Sequence, residues 1–290
     1  MNLNNLIPDI YNMLAKLNND GEILTDLEPF MEEFITGVRE CIEGWATPQT
    51  RTRTDGLRMS NIGRPNRQLW FELNHDEEQK EKDYDPSTQI KFLYGHLIEQ
   101  VVLLLVKAAG HNVTSLQKEV NVDGIKGRMD SMIDGEVVDI KTASQFSFDK
   151  FISGKIVDND SFGYLAQLAG YEAENGTGKG GFLVVNKVTG ELCLFIPEDL
   201  DKPNIHTRIA EVKEVVKEEA PPSDLCYDDI PNGKAGNMTI HRLCKYCPHK
   251  MECREDANEG KGLRLFKYST GPEYFTKVVK APKVEEIING

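Results

Sequence analysis

The segment GRMDSMIDGEVVDIK, residues 127–141, sets Asp130, Asp139 and Lys141 among residues that otherwise alternate like two short β-strands. Asp134-Gly135 is a two-residue turn signal, because a type I′ turn needs positive φ at both central positions. If the arms pair about that turn, Asp130 falls directly across from Asp139 and Arg128 across from Lys141, on one face, since side chains alternate along a strand. Met129, Val138 and Ile140 take the other face. Two carboxylates with Cβ atoms about 5 Å apart repel, and opposed like charges cost stability. A divalent cation reverses that penalty, and hard ions such as magnesium and manganese select oxygen ligands. Lys141 then places an ammonium beside the metal, where it can orient or deprotonate a water or hold a phosphate. Alone, the hairpin fits a solvated acidic face equally well.

Other residues bear on that choice. Glu99 is a lone acid in the apolar run 92–106, and Gly95, four positions earlier, leaves room one turn below it. A charge in such a run is rarely buried without a partner. His96 is a second-choice ligand, turned about 100° around the helix from Gly95. Gln167 and Tyr171 are i, i+4 neighbours on one helix face, a spacing that an ordinary amphipathic helix also shows.

The elements that must position these residues follow from periodicity. Residues 1–18 and 25–43 carry apolar side chains at helical spacing, including Leu27, Phe30, Met31, Phe34, Ile35 and Val38. A charged, proline-ended loop is expected over 74–87. A long, largely buried helix is expected from Ser87, with Gly110 where a C-terminal cap would sit. Strands are predicted at 113–122, 125–133, 136–142, 180–188 and 191–196, and helices at 161–175 and 203–219. This order suggests an α/β sandwich with a mixed sheet. The tail beyond 254 carries no clear pattern. No apolar run approaches the roughly 20 residues that span a bilayer, and the N-terminus lacks the features of a secretory signal. A cytoplasmic protein is expected, or one of a host cytoplasm if phage-encoded, with no membrane partner.

Taken in chain order, Gly95-x-x-x-Glu99, Gly127-x-x-Asp130, Asp139-Ile140-Lys141 and Gln167-x-x-x-Tyr171 resemble the successive motifs of the PD-(D/E)XK nuclease superfamily, in its RecB-like branch, over roughly residues 55–255. The resemblance implies an α/β, restriction-endonuclease-like core at 55–220, with a central mixed β-sheet flanked by helices. An N-terminal helical region at 1–54 and a C-terminal cysteine segment and tail at 221–290 would flank that core. It implies that Glu99, Asp130 and Asp139 bind one or two magnesium or manganese ions, with the main-chain carbonyl of Ile140 as a further ligand. Lys141 would serve the attacking water, and Gln167 and Tyr171 would contact the nucleic-acid strand or the lysine. Many RecB-like members have histidine where Glu99 stands, and glutamate is commoner than Asp139 in the D-x-K position; both variants keep oxygen or nitrogen ligation.

LCKYCPHKMEC gives Cys244-x2-Cys247-x5-Cys253, with Cys226 upstream. Thiolates at this spacing suit a tetrahedral zinc or an iron-sulfur cluster. The tail resembles that of the AddB nuclease domain and the CRISPR-associated RecB-like nucleases, in which three such cysteines join a distant upstream one to hold [4Fe-4S]. The corresponding stretch here, MSNIGRPNRQLW, has Arg64-Pro65-Asn66 and no cysteine. Cys226 is therefore the expected fourth ligand, with Cys41 or His249 as fallback and zinc as the alternative metal. The cluster is expected to be structural.

The net charge of −13 argues against a surface that grips nucleic acid everywhere, so contact must be local. Arg51, Arg53, Arg58, Arg64 and Arg67 form one basic stretch, and at least two are expected to bind phosphate; Trp70 and Phe71 fit a core better than base stacking. The expected activity is a metal-dependent DNA exonuclease acting on single strands or duplex ends, in recombination, repair or phage DNA metabolism, with protein partners in a recombination or replication complex. An endonuclease of the same superfamily, or a non-catalytic binding or scaffolding subunit on the same fold, is the alternative.

Overall fold

A computed structural model describes residues 2–19, 24–47, 56–74 and 86–287. In chain order the helices are α1 (Leu6–Asn19), α2 (Leu24–Leu27), α3 (Met31–Ala46), α4 (Asn66–Asn74), α5 (Pro86–Ala108), α6 (Gln145–Ile152), α7 (Tyr164–Asn175), α8 (Ile205–Val215), α9 (Lys250–Cys253) and α10 (Ala257–Gly260). The strands are β1 (Val113–Thr114), β2 (Glu119–Val122), β3 (Ile125–Arg128), β4 (Ser131–Ile133), β5 (Glu136–Ala143), β6 (Gly181–Asn186), β7 (Leu192–Phe195), β8 (Ile230–Asn232), β9 (Asn237–Thr239), β10 (Arg264–Tyr268), β11 (Gly271–Lys277) and β12 (Glu286–Ile287). The chain divides into two compact units: Met1–Gly63 with Glu77–Ala210, and Arg64–Asp76 with Glu211–Gly290. Each unit is built from two separate stretches of the chain, and the first takes in the N-terminal helices.

The first unit is mixed α/β, with a central five-stranded sheet in the order β1-β4-β5-β6-β7. Only β5 and β6 run parallel. One face buries Val138, Ile140, Leu183 and Val185 against Val102, Leu103 and Val106 of α5 and Leu6 and Ile10 of α1. The opposite face carries Phe182, whose ring meets Phe151 of α6 and Tyr164 of α7. Helices therefore cover both sides, as a partly parallel sheet requires. β2 and β3 form a separate two-stranded ribbon against α7.

Three expectations need correction here. The predicted strands at 113–122 and 125–133 are each broken, the first between β1 and β2, where Ser115 and Gln117 take positive φ (53° and 50°). And α5, at 23 residues, is long and apolar enough by composition to cross a membrane, although no such run was expected. In this fold it packs on α1, α3 and β5 and carries Glu99 toward the sheet. It is less buried than predicted, since Ile90, Phe92, Tyr94 and Val101 are exposed.

A buried ion pair fixes the passage from α7 into β6. Lys202 Nζ donates to both Glu172 oxygens (2.9 and 2.8 Å) and to the Gly178 carbonyl (2.8 Å), while Glu172 also accepts from Gly180 N–H (2.8 Å). Both side chains are 6% exposed. Lys202→Met leaves a carboxylate unpaired in the interior and is expected to cost about 3–5 kcal/mol in urea unfolding.

The second unit is built on an antiparallel sheet in the order β12-β10-β11-β9-β8. Ile240, Ala257, Leu263 and Leu265 make its core cluster, and Phe266 packs edge-on to Phe275. Arg254 forms a bidentate pair with Asp229 (2.7 and 2.6 Å), which also accepts from Thr276. None of this sheet was anticipated from the tail.

Candidate functional site

Asp134 (φ 51°) and Gly135 (φ 89°) both take the left-handed conformation the two-residue turn demands. The ladder pairs Ile133 with Glu136, Met132 with Val137 and Ser131 with Val138, so the expected register is the observed one. Asp134 does more than turn the chain: its carboxylate accepts from Asn112 N–H (3.0 Å) and bonds His111 Nδ1 (2.7 Å).

The ladder stops at Ser131 and Val138, so among the described residues β5 continues from Asp139 without a partner strand on that side. Asp130 fills the next position with its side chain, accepting a hydrogen bond from Ile140 N–H (2.8 Å). Ile140 is itself buried. Asp139 is 2% exposed, and Lys141 Nζ lies 2.5 Å from its carboxylate. Arg128, expected across from Lys141, instead ends β3 opposite Glu119, because the chain breaks out of strand geometry at Met129 and Asp130.

Glu99 reaches the same place from α5. Burial pushes its carboxyl up to about 7, and Asp139 adds to the rise against a hydrogen bond from Gln117 Nε2 (2.8 Å) and the charge of Lys141. Asp130 is pushed well above the carboxylate range by burial, then by Asp139 and Glu99, with Lys141 and the Ile140 N–H opposing. Burial acts to lower Lys141, but Asp139, Tyr164 and Asp130 outweigh it, so the group is held as an ammonium. Three acids, from α5, β5 and the link between β3 and β4, therefore share one field with a single cation. Their side chains are not drawn together as a ready-made cage: among the described residues no group of three or more His, Cys, Asp or Glu is spaced to hold a metal. The donor set nevertheless fits a hard divalent ion, since repelling, desolvated carboxylates are what such an ion relieves. His96, the second-choice ligand, is exposed.

Gln167 and Tyr171 are both buried and joined: Gln167 Nε2 donates to Tyr171 Oη (2.9 Å), which donates to the Arg128 carbonyl (2.8 Å). Burial first, then Asp139 and Asp130, push the phenol up to about 12, so it stays a donor. These contacts make the pair a brace on the strand leading to Asp130. Tyr171→Phe leaves the Gln167 amide and the Arg128 carbonyl without this partner. It is expected to cost about 1–3 kcal/mol, read by thermal unfolding. Gln117 and Tyr164 were not singled out in advance. Tyr164 lies under Lys141, with Nζ 4.6 Å from its ring centroid.

In the second unit the four predicted cysteine ligands lie near enough to act on one another electrostatically, although among the described residues they are not spaced as a metal-holding group. Burial raises the Cys226 thiol to about 11 and Cys244 to about 12, and each rise is increased by the charge of other members of the set, Cys247 and Cys253 included. Cys247 is raised by burial as well, with a further contribution from Cys253. Arg67, read as a phosphate ligand, is occupied here: Nε donates to Cys253 Sγ (3.1 Å), Nη2 to the Cys253 carbonyl (2.9 Å) and Nη1 to the Pro222 carbonyl. His249 is buried and stacks on Phe71, whereas Cys41 lies on α3 in the first unit. No disulfide joins any of the six cysteines.

Of the remaining arginines, Arg58 is exposed, Arg64 pairs with Glu72 (2.7 Å), and Arg51 and Arg53 lie outside the described residues. Phe71 is buried and Trp70 donates to the Glu218 carbonyl, as core-facing aromatics should.

No protein-family profile matches the chain, and no curated protein matches it. One solved structure, the crystal structure of SSO0001, aligns over 76% of this chain and 93% of its own at 17% identity with a TM-score of 0.41. A likeness of that size carries no argument about function.

Proposed function

We propose that the first unit is a divalent-metal-dependent deoxyribonuclease of the PD-(D/E)XK class, acting as an exonuclease in recombination, repair or phage DNA metabolism. The observation that carries the reading is the convergence of Glu99, Asp130 and Asp139 in one desolvated field, with Lys141 2.5 Å from Asp139. The three carboxylates, with the Ile140 carbonyl, would hold one or two magnesium or manganese ions. Such an ion supplies an activated water and offsets phosphate charge, which also lets a chain of net charge −13 accept DNA. Lys141, whose neighbouring carboxylates favour the ammonium, would donate hydrogen bonds to the attacking water or to a phosphate oxygen. Asp139 fixes its position. Water adds at phosphorus, the bond to the 3′ oxygen breaks, and that oxygen leaves protonated, giving a 5′-phosphate and a 3′-hydroxyl.

The test incubates purified protein with end-labelled linear DNA and covalently closed circular DNA, in magnesium or manganese, beside Lys141→Ala. Cleavage of linear DNA that is lost in EDTA and in the variant supports the reading. Cleavage of closed circles as well makes the protein an endonuclease. No metal-dependent cleavage of either form overturns it.

For the second unit, Cys226, Cys244, Cys247 and Cys253 would hold a [4Fe-4S] cluster, with structural zinc as the alternative; the mutual electrostatic reach of the four thiols supports the set. An absorption band at about 400 nm in anaerobically purified protein separates the two metals.

A further inference from the structure

We propose that Phe162, seated on Tyr164 beside Lys141, is a stacking platform for an unpaired nucleobase, which makes a single-stranded end the preferred substrate; this rests on the nuclease reading above. The rings of Phe162 and Tyr164 stack with centroids 5.3 Å apart and planes 21° from parallel. Tyr164 also stacks on Phe151 (6.4 Å, 25°), so three rings run in a row from the interior to the surface. The outermost, Phe162, is 56% exposed.

A single exposed aromatic is ordinary on a protein surface. This one differs in how it is held and in what it adjoins. Its turn is built: the two oxygens of Asp160 accept from Tyr164 N–H (2.9 Å) and Leu165 N–H (2.8 Å), and Gly163 takes φ 77° to admit the bend. The main chain of Gly163 also packs so closely on Gly63 that a Cβ there would come within 2.5 Å of it. The ring is thus displayed on a rigid support. Its neighbour Tyr164 lies under the Lys141 ammonium, which touches Asp139. A phosphate held at that ammonium brings its flanking nucleotides to this edge of the sheet.

A nucleobase offers a π-face of the right kind, and aromatic stacking of this sort is tolerant of sequence. Bases in an intact duplex are already stacked on their neighbours and present no free face. The platform therefore selects for a frayed or single-stranded terminus. Trp70 and Phe71, the aromatics that the basic stretch offered for this role, are committed to contacts in the second unit.

The experiment compares wild type, Phe162→Ala and Phe162→Trp on a labelled single strand and on the same strand made abasic in its terminal nucleotides. Binding is followed by fluorescence anisotropy in calcium, and cleavage in magnesium. Wild type is expected to favour the base-bearing strand. Phe162→Ala is expected to weaken its binding and raise its KM by about tenfold, erasing the preference over the abasic strand. Phe162→Trp, which keeps a π-face, is expected to restore it. Equal binding of both strands by wild type, or an equal loss on both in Phe162→Ala, overturns the platform even where cleavage is robust. If wild type cuts no DNA the nuclease reading falls, and the anisotropy arm decides the platform by itself.

Discussion

Asp130→Asn is expected to melt higher than the parent in EDTA and lower than the parent in magnesium, while cutting DNA about 10³-fold more slowly. The cause is the crowding of Asp130, Asp139 and Glu99, in which burial and mutual repulsion raise Asp130 well above its usual range. An asparagine keeps an acceptor for Ile140 N–H and removes one charge, so at pH 8 the metal-free protein gains about 1 kcal/mol, or some 2–4 °C in Tm. With metal the sign inverts, because the parent gains about 2.7 kcal/mol at a metal concentration 100 times Kd and the variant gains little. The rate loss corresponds to on the order of 4 kcal/mol in the transition state. Differential scanning fluorimetry with and without metal reads the crossing. Parallel curves in both buffers would separate Asp130 from any metal site.

Without metal, stability is also expected to fall as pH rises from about 4.5 to about 7. In that window the folded Glu99 carboxyl, raised to about 7 from a usual 4.5, still holds a proton that the unfolded chain has lost. The native state then binds more protons, so the slope of unfolding free energy with pH is negative, at most about 1.4 kcal/mol per pH unit and about 3 kcal/mol across the window. Asp130 acts in the same direction. Asp134 acts in the opposite one: burial tends to raise it, but the hydrogen bonds from His111 and Asn112 prevail and hold it low, so its contribution is lost only on strong acidification. Magnesium binding must expel the Glu99 proton below about pH 7, so affinity strengthens as pH rises through that range. Chemical denaturation at pH 4 to 8 in EDTA, and calorimetry in buffers of different ionisation enthalpy, check both halves. A flat or rising metal-free profile over 4.5 to 7 would show that Glu99 is not held in this field.

The acidic hairpin was readable because its signals are local. One Asp-Gly turn sets the register of β4 on β5, and alternation then assigns Asp130 and Asp139 without any distant contact. The same logic failed two residues further, at Arg128, because the ladder ends where Asp130 replaces main chain with side chain, and alternation cannot see where pairing stops. Gln167 and Tyr171 showed their shared face through i, i+4 spacing, but the carbonyl they hold belongs to Arg128, 43 residues away from Tyr171. Gln117 left no pattern at all, since it reaches Glu99 from a loop residue at positive φ. The second sheet was hidden for another reason. Its strands are two to seven residues long and bury Asn237, Thr239 and Thr276, which breaks the apolar alternation a strand would show. The helix α4 was masked by Arg67 and the arginines before it, which read as a phosphate-binding stretch although Arg67 serves Cys253.

The discontinuity of the second unit sets a timetable for synthesis. Arg67 and Cys253 are 186 residues apart, and translation at about 5–20 residues per second separates their appearance by roughly 10–40 s. Through that interval α4 has emerged but Cys253, Pro222 and Glu218, which receive its side chains, do not yet exist, and Phe71 lacks His249, on which it stacks. The first unit has all its strands by residue 195, well before Cys253 appears. The newborn polypeptide thus carries a complete central sheet and one orphan helix that only residues from 211 onward can shelter, and a ribosome stalled there would release a product vulnerable to proteolysis at that helix.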